Sequence, residues 1–452
     1  MRTVRIHDTR SGELRELREP GGEPIGIYAC GPTVYNRIHI GNARPFVVFS
    51  LFSRFLRAQG YGVRLVFNVT DINDKIYEAA ARRQIPSDQL ASEMTAAYFA
   101  DTDALALGRP DAEPLASEMI GPIVAQIAAL IERGHAYEAG GDVYFRVRSD
   151  AGYGSLSHRR IEDMDQGEGL DGAERKQDPL DFALWKGRKE GEDTWWPSPW
   201  GDGRPGWHIE CSAMAGDLLG LDFDIHGGGS DLLFPHHENE AAQARGATGS
   251  ELARIWMHNG MIQMTGEKMA KSVGNIALLH EVLAAHGRDA TVMYLASAHY
   301  RQPQAFSEAE LEDARRRVER VRETLGRLEP GESPADMAAH REAFFDALAG
   351  DFNTPAALAA MFDWIREANR RGSGVGSGDL LAMLTVLGLE GVEPRRGAVD
   401  VDGHAAELLE RREQARQSRE FALADELRDE LRALGWEIRD GPGGPELIAA
   451  GR

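Results

Sequence analysis

The feature that most constrains the fold is an early succession of apolar strand, helix and apolar strand. Ile25–Ala29 form a short apolar run that predicts a strand, and the turn after it precedes a helix predicted over Phe46–Leu56. A second strand is predicted over Val63–Phe67. This order with short connections is typical of a parallel sheet. Because ligands bind at the carboxyl ends of such strands, we expect residues 30–42 and 68–74 to contribute to a site.

The rest of the chain divides by changes in residue pattern. Helical spacing from about residue 121 gives way to a strand near Val143–Val147 and then to a Gly- and Trp-rich stretch typical of an insertion. Beyond about residue 305 the pattern is helical, and a Gly-, Pro- and Asp-rich linker at 392–403 precedes a small C-terminal unit. The sequence therefore predicts an α/β protein: a Rossmann-like parallel-sheet domain with an insertion, followed by an α-helical bundle and a small C-terminal domain.

Composition excludes several classes of protein. No apolar run among the 452 residues reaches the ~18 residues of a membrane span, and the start lacks the apolar core of a signal peptide. Only two cysteines are present, so a disulfide scaffold is excluded. These features predict a cytoplasmic protein with no membrane partner. The net charge of −21 weighs against indiscriminate nucleic-acid binding but leaves local basic patches open.

Four residues form a candidate metal site. Pro235 favours the start of a helix, on which His236 and Glu240, four apart, reach the same side. With the only two cysteines, Cys30 and Cys211, they complete a tetrahedral zinc set. On these residues alone a second interpretation stays open, in which the cysteines are buried small hydrophobes and the histidine belongs to an ordinary helix surface.

Three further segments suit a nucleotide. His39–Asn42 lies between a strand and a helix, where Gly41 permits close approach of a ligand and His39 could donate to a phosphate. The glycine-hinged segment Gly266–Ser272 holds two lysines three apart, and Asp224–Asp231 is a glycine-rich turn. Each has a plainer interpretation as well: a structural histidine, a pair of solvated lysines, and a tight strand exit.

Together and in this order, the segments resemble the motifs of the cysteinyl-tRNA synthetases, a family of class I aminoacyl-tRNA synthetases, over essentially the whole chain. The matching segments are Tyr28–Tyr35, His39–Asn42 (the "HIGH" element), Thr70–Lys75, Gly206–Ser212, His226–Asp231 and Lys268–Ser272 (the "KMSKS" element). Asn42 replaces the second histidine of "HIGH", and Ala270 replaces the first serine of "KMSKS", while both lysines remain. The tail Gly441–Glu446 lacks the Thr and Trp/Arg ending expected of the family, so individual anticodon contacts stay unassigned.

The resemblance implies a role for each motif residue. It implies one Zn²⁺ per chain, held by Cys30, Cys211, His236 and Glu240. It implies a cysteine pocket of Gly31, Thr70, Trp207, His226 and Asp231. It implies catalytic roles for His39, Asn42, Lys268 and Lys271, and ATP binding by His39, Gly41, Asn42 and Lys271. Mg²⁺ would accompany the ATP.

The implied function is that of a cysteine–tRNA ligase, with L-cysteine, ATP and tRNA(Cys) as substrates and no stable protein partner. The implied domains are a Rossmann-like catalytic domain in two halves (1–120 and 206–265), a connective insertion (121–205), a KMSKS loop and stem-contact region (266–305), a helical bundle (306–391) and a C-terminal anticodon-binding unit (404–452).

Two alternatives are weighed against this interpretation. A cysteine ligase of the mycothiol pathway shares the core but acts on an amino sugar, for which an anticodon-binding unit has no use. A non-catalytic tRNA-binding paralogue has no use for the lysines of the "KMSKS" element.

Overall fold

The computed structural model describes residues 2–165, 173–264, 267–268, 277–393, 403–418, 420–441 and 444–449. The strands are β1 (Arg5–His7), β2 (Leu14–Glu16), β3 (Ile25–Ala29), β4 (Val63–Phe67), β5 (Ala136–Ala139), β6 (Asp142–Phe145), β7 (Phe182–Gly187), β8 (Gly203–Pro205), β9 (Phe223–Gly229), β10 (Ala253–Asn259), β11 (Ile262–Met264), β12 (Glu267–Lys268), β13 (Gln304–Phe306), β14 (Trp436–Gly441) and β15 (Gly444–Ala449).

The α-helices are α1 (Ile40–Ala58), α2 (Asp74–Arg83), α3 (Ser87–Asp103), α4 (Ile120–Glu132), α5 (Trp207–Leu219), α6 (Glu238–Thr248), α7 (Leu279–His286), α8 (Arg288–Ala296), α9 (Glu308–Leu325), α10 (Ala338–Ala349), α11 (Thr354–Arg371), α12 (Gly378–Val386), α13 (Gly403–Gln417) and α14 (Phe421–Ala433). Among the described helices, none is long and apolar enough to cross a bilayer.

A four-stranded parallel sheet of order β10-β9-β3-β4 forms the centre of the larger unit. Its strands are largely buried on both faces, as expected for a parallel sheet covered by helices, although only β3 is apolar throughout. Since all four strands run in the same direction, their carboxyl ends meet at one edge. The segments that begin at Cys30, Asn68 and Ser230 all leave the sheet at this edge, which confirms the predicted parallel sheet.

The first helix begins earlier than its apolar pattern predicted. Strands β3 and β4 cover the predicted residues, but α1 begins at Ile40 instead of Phe46. The His39 ring accepts a hydrogen bond from the Asn42 backbone N–H, and the Asn42 side chain accepts one from the His39 N–H. This reciprocal cap satisfies two amides that a helix start otherwise leaves unpaired. The prediction followed apolar residues only and therefore missed a polar first turn.

The insertion is built on an antiparallel sheet of order β5-β6-β7-β8. Strand β6 ends at Phe145, two residues before the predicted end, because Val147 begins a short helical turn. The buried side chains of Phe145, Phe182 and Trp185 pack with Ile127 of α4 in one apolar cluster. The same cluster contains Ile209 of α5 and Ala242 of α6, so the insertion shares this core with the helices of the sheet domain.

The chain divides into two compact units, Met1–Val321 with Glu329–Val392, and Arg322–Leu328 with Glu393–Arg452. In the larger unit, helices α10, α11 and α12 follow the sheet domain. In the smaller unit, Ala405 and Leu408 of α13 form an apolar core with Leu427 and Leu431 of α14, and β14 and β15 form an antiparallel hairpin. The fold is therefore a parallel-sheet domain with an insertion, followed by helical C-terminal domains.

Candidate active site and metal centre

Two thiols, an imidazole and a carboxylate come together at the carboxyl edge of the parallel sheet. Cys30 follows β3, Cys211 lies in α5, His236 lies in the helical turn before α6, and Glu240 lies in α6. Their donor atoms all lie within 4.8 Å of one another, and none of the four residues is more than 5% exposed. The structure thus places the four residues of the predicted zinc set in one cluster.

The electrostatics of this cluster favour a bound cation. His236 Nε2 lies 3.1 Å from Glu240 Oε1, and Cys30 Sγ lies 3.6 Å from the same oxygen. Burial raises the pKa of the Cys30 thiol well above its ordinary value, raises the pKa of Cys211 and Glu240, and lowers the pKa of His236 well below its ordinary value. Burial therefore disfavours each charged form, and a cation among the donors would stabilise the thiolates and the carboxylate. Sulfur, nitrogen and oxygen donors in this number fit a metal site.

A second set of donors shares two residues with the first. Cys30 and Glu240 also lie within 4.8 Å of ring nitrogens of His226 and His237, all of them buried. Sequence reasoning took only the first histidine of the adjacent pair and so missed His237, although the pair itself was the available signal. The predicted set has two thiols and this one has a single thiol, so the predicted set is the softer of the two.

Two further histidines lie behind these donors. His208 Nδ1 lies 2.8 Å from His236 Nδ1, and His258 Nε2 lies 2.7 Å from His237 Nδ1. On its other side, His258 Nδ1 lies 2.8 Å from the Thr9 hydroxyl. Such partners fix the orientation and tautomer of a ring whose other nitrogen binds a metal. His208 lies inside a recognised motif, but nothing local in the sequence marks His258.

Trp207 and His226 lie against the cluster. The Trp207 ring stacks on the His236 ring, with centroids 4.3 Å apart and planes 25° apart. His226 is fully buried between Tyr28 and Trp256, with centroid distances of 5.2 and 4.5 Å. Two of the predicted pocket residues therefore form an aromatic wall beside the metal donors.

The other predicted pocket residues lie on loops at the same edge of the sheet. Gly31 N–H donates to Asn68 Oδ1 at 2.9 Å, and a Cβ at this glycine would lie 1.8 Å from the Asn68 carbonyl oxygen, so no side chain fits. Thr70 is buried and accepts a hydrogen bond from Asn68 Nδ2 at 3.2 Å. Asp231 is exposed in the turn after β9.

The start of α1 is the exposed part of the candidate site. His39 is half-buried and Asn42 is exposed, and the two side chains cap the helix as described above. A Cβ at Gly41 would lie 2.9 Å from the His39 ring, so a glycine keeps the ring in its place. The first turn of α1 contains no acidic residue, so the positive end of the helix dipole is suited to an anion.

The predicted phosphate lysines lie largely outside the described residues. Lys268 belongs to the two-residue strand β12, where it pairs with Gln263 of β11, and Lys271 lies outside the described residues. Just beyond that segment the chain returns to α1, where Ile40 N–H donates to the Ala277 carbonyl at 3.0 Å. Ala277, where the described chain resumes, is therefore hydrogen-bonded to the start of α1.

Three family models match consecutive parts of the chain. The class I (C) tRNA synthetase catalytic domain matches residues 18–316, the DALR domain matches residues 343–388, and the cysteinyl-tRNA ligase anticodon binding domain matches residues 398–445. Together these matches support a tRNA ligase, and neither alternative interpretation gains support from them.

Similar proteins of known family extend over nearly the full length. A cysteine–tRNA ligase from Halorhodospira halophila is 46% identical, and one from Symbiobacterium thermophilum is 44% identical, each over 98% of both chains. Among solved structures, a Mycobacterium tuberculosis methionyl-tRNA synthetase in complex with methionyl-adenylate has a TM-score of 0.61 at 17% identity, and the match covers 81% of this chain and 88% of that one. At this identity the likeness concerns the fold, which is the class I fold. The chain belongs to the cysteine–tRNA ligases, a family of ATP-dependent class I aminoacyl-tRNA synthetases.

Proposed function

We propose that this chain activates L-cysteine with ATP to give cysteinyl-adenylate and then transfers the cysteinyl group to the 3′ end of tRNA(Cys). The observation that supports this most is the buried two-thiol cluster at the carboxyl edge of the sheet. The segment after β3 holds both Cys30 of this cluster and His39 at the start of α1. One segment thus carries a metal donor and the helix start, and we propose that cysteine and ATP bind next to each other there.

The metal of this cluster is proposed to be one Zn²⁺, held by Cys30, Cys211, His236 and Glu240. A side-chain pocket that works by shape alone rejects a near-isostere only ~10²-fold, and serine differs from cysteine by oxygen in place of sulfur. Bound zinc would supply a Lewis acid with a strong preference for a thiolate over a neutral hydroxyl. His208 supports the set by holding the second nitrogen of the His236 ring.

The amino acid is proposed to bind among Gly31, Thr70, Trp207, His226 and Asp231. Trp207 offers an apolar face for the short side chain, and the missing side chain at Gly31 lets the loop after Cys30 pack closely against the Asn68 backbone. Asp231, an exposed carboxylate at the rim, is the proposed partner of the substrate ammonium.

ATP is proposed to bind at the start of α1, with His39, Gly41 and Asn42 at its phosphate and ribose side. Lys268 and Lys271 would neutralise charge on the leaving phosphates, and Mg²⁺ would accompany the nucleotide. The substrate carboxylate is itself the nucleophile, so these side chains act by positioning and by stabilising charge.

The tRNA is proposed to contact four predicted regions: the insertion (121–205), the stem-contact region (266–305), the helical bundle (306–391) and the C-terminal unit (404–452). Support comes from the match of residues 398–445 to an anticodon binding domain model. We propose the cytoplasm as the location, since charged tRNA is used there.

Two assays in sequence test the proposed function. We expect ATP–pyrophosphate exchange that depends on L-cysteine, and then charging of tRNA(Cys) by the same preparation. Exchange without charging of tRNA, together with ligation of cysteine to an amino sugar, would show that the amino-sugar alternative is right. No cysteine-dependent exchange at all would leave the non-catalytic paralogue.

A further inference from the structure

A cavity of about 410 Å³ lies between helices α2 and α3 and the insertion, and no predicted site residue lines it. Its volume lies within the roughly 300–1,000 Å³ range of small-molecule sites. We call it the α2–α3 cavity; its lining includes Asp71, Tyr77, Asp88, Phe99, Ser117 and Trp196.

Hydrogen bonds between these elements hold the walls of the cavity together without a ligand. The Tyr77 hydroxyl of α2 donates to the Thr194 carbonyl oxygen at 2.7 Å. The Ser87 N–H at the start of α3 donates to Asp193 Oδ2 at 2.9 Å. Helices α2 and α3 are therefore both tied to residues 193–194 of the insertion.

One end of the cavity lies next to the proposed cysteine pocket. Asp71 directly follows Thr70, and its two carboxylate oxygens accept hydrogen bonds from the Ser117 N–H at 2.9 Å and the Ser117 hydroxyl at 2.5 Å. Each carboxylate oxygen keeps a further lone pair for a hydroxyl of a ligand. The inner end of the cavity therefore suits a vicinal diol, which carboxylates recognise in other nucleotide sites.

The other lining residues favour a flat, uncharged ligand group over an anion. Tyr77, Phe99 and Trp196 supply aromatic faces, on which any base can stack. None of the lining residues is lysine or arginine, and Asp71 and Asp88 supply carboxylates. A phosphate is therefore disfavoured inside, and the ligand that fits is a nucleoside whose phosphate remains outside.

A cation and an exposed indole lie beside the cavity, outside its lining. Trp195 stands between two lining residues, Thr194 and Trp196, and is 38% exposed. The exposed Arg188 places its guanidinium carbon 3.2 Å from the centroid of the Trp195 ring. An aromatic ring with a stacked arginine is a common platform for a single-stranded nucleic acid.

We propose that the α2–α3 cavity receives the 3′-terminal nucleoside of the tRNA, with its ribose diol at Asp71 and its base among Tyr77, Phe99 and Trp196. The preceding nucleotide then lies on the Arg188–Trp195 pair, outside the cavity. In this arrangement the ribose hydroxyls face the cysteine pocket, where the activated carbonyl forms. This inference rests on the proposed function and adds the acceptor subsite to it.

The test fills the cavity without touching the activation residues. Ala96 is an exposed residue of α3 that lines the cavity, and Ala100 is an exposed residue of α3 that does not. We expect Ala96→Trp to keep cysteine-dependent pyrophosphate exchange and to lower single-turnover transfer to tRNA about 10-fold or more, the effect of one lost stacking contact. Ala100→Trp is the matched control and should leave both reactions unchanged. Ser92→Trp repeats the test from a second lining position on the same helix.

A binding measurement distinguishes loss of the nucleoside subsite from a general disturbance of the protein structure. Removal of the terminal adenosine from tRNA should weaken binding to the unaltered protein and leave binding to Ala96→Trp unchanged, because the cavity is already filled. Equal losses in the two proteins, or normal transfer by both filling variants, would overturn the inference. Failure of the proposed function would look different, because the unaltered protein would then show no cysteine-dependent exchange.

Discussion

The metal cluster and the start of α1 lie on the same edge of one sheet, but they are built in opposite ways. The four proposed metal ligands are at most 5% exposed, whereas Asn42 at the helix start is exposed. Selection of a thiol over a hydroxyl needs donors that are dry and already in place, because water would compete for the metal. Binding of a triphosphate needs access from solvent and positive charge; the helix start is exposed, and Lys268 and Lys271 are the proposed source of the charge.

The two regions also differ in what holds them together. The cluster draws residues from β3, α5 and α6, and its rings are fixed by further buried rings such as His208. The helix start depends on a local hydrogen-bonded cap and on two backbone hydrogen bonds, Ile40 N–H to the Ala277 carbonyl and Leu279 N–H to the Ile38 carbonyl. We therefore expect a substitution in the cluster to abolish metal binding and cysteine activation together. A substitution at the phosphate side should only slow the formation of the adenylate.

The largest effect should come from loss of a metal ligand in the cluster. Cys211→Ser should lose its bound zinc, because a neutral hydroxyl in a buried site is a poor ligand. Cysteine-dependent exchange should fall by more than the ~10–100-fold that loss of an outer hydrogen-bond partner costs. Elemental analysis of the purified protein measures the metal, and Ala213→Ser on the same helix is the control for an added hydroxyl. A full equivalent of zinc in Cys211→Ser would show that the ligand assignment is wrong.

A smaller effect is expected at the phosphate side. Lys271→Ala should lower the rate of adenylate formation about 10²-fold, since the lysine acts on charge that develops in the transition state. The affinity for cysteine should barely change, because the metal cluster is intact. Pre-steady-state adenylate formation measures the first quantity, and the cysteine dependence of the rate measures the second. Lys189→Ala, in the insertion, is the control. If Lys271→Ala lost cysteine affinity as strongly as it lost rate, the two regions would not act on separate substrates.

The same two regions show how far the sequence alone leads. The strands β3 and β4 were predicted because their apolar runs are short and bounded by turn residues. The metal residues could be proposed because only two cysteines exist and the His/Glu pair has helical spacing. The adjacent histidine pair could have marked His237, but nothing local marks His258, whose proximity to His237 depends on how β10 lies against the turn before α6. The cap of α1 was missed because side-chain hydrogen bonds leave no periodic signal.

The α2–α3 cavity had a sequence signal only where Asp71–Asn73 fall within residues 68–74, which were expected to contribute to a site. Its lining comes from α2, α3, the segment around Ser117 and the insertion. These parts lie far apart in the chain, from Asp71 to Trp196. The Gly- and Trp-rich composition before residue 203 predicted an insertion but no site in it. The assignment of domain boundaries and of the roles of individual residues stays a prediction.

The central claim, that the buried cluster selects the substrate side chain, is tested most directly by the cysteine-to-serine ratio in pyrophosphate exchange by Glu240→Gln. Glu238→Gln is the matched control, because Glu238 is equally buried on the same helix but accepts a hydrogen bond from the Ser157 N–H at 2.7 Å instead of joining the cluster. We expect the ratio to fall toward the ~10²-fold that shape alone provides in Glu240→Gln only, with the Michaelis constant for ATP unchanged. An unchanged ratio together with a raised Michaelis constant for ATP would contradict the claim.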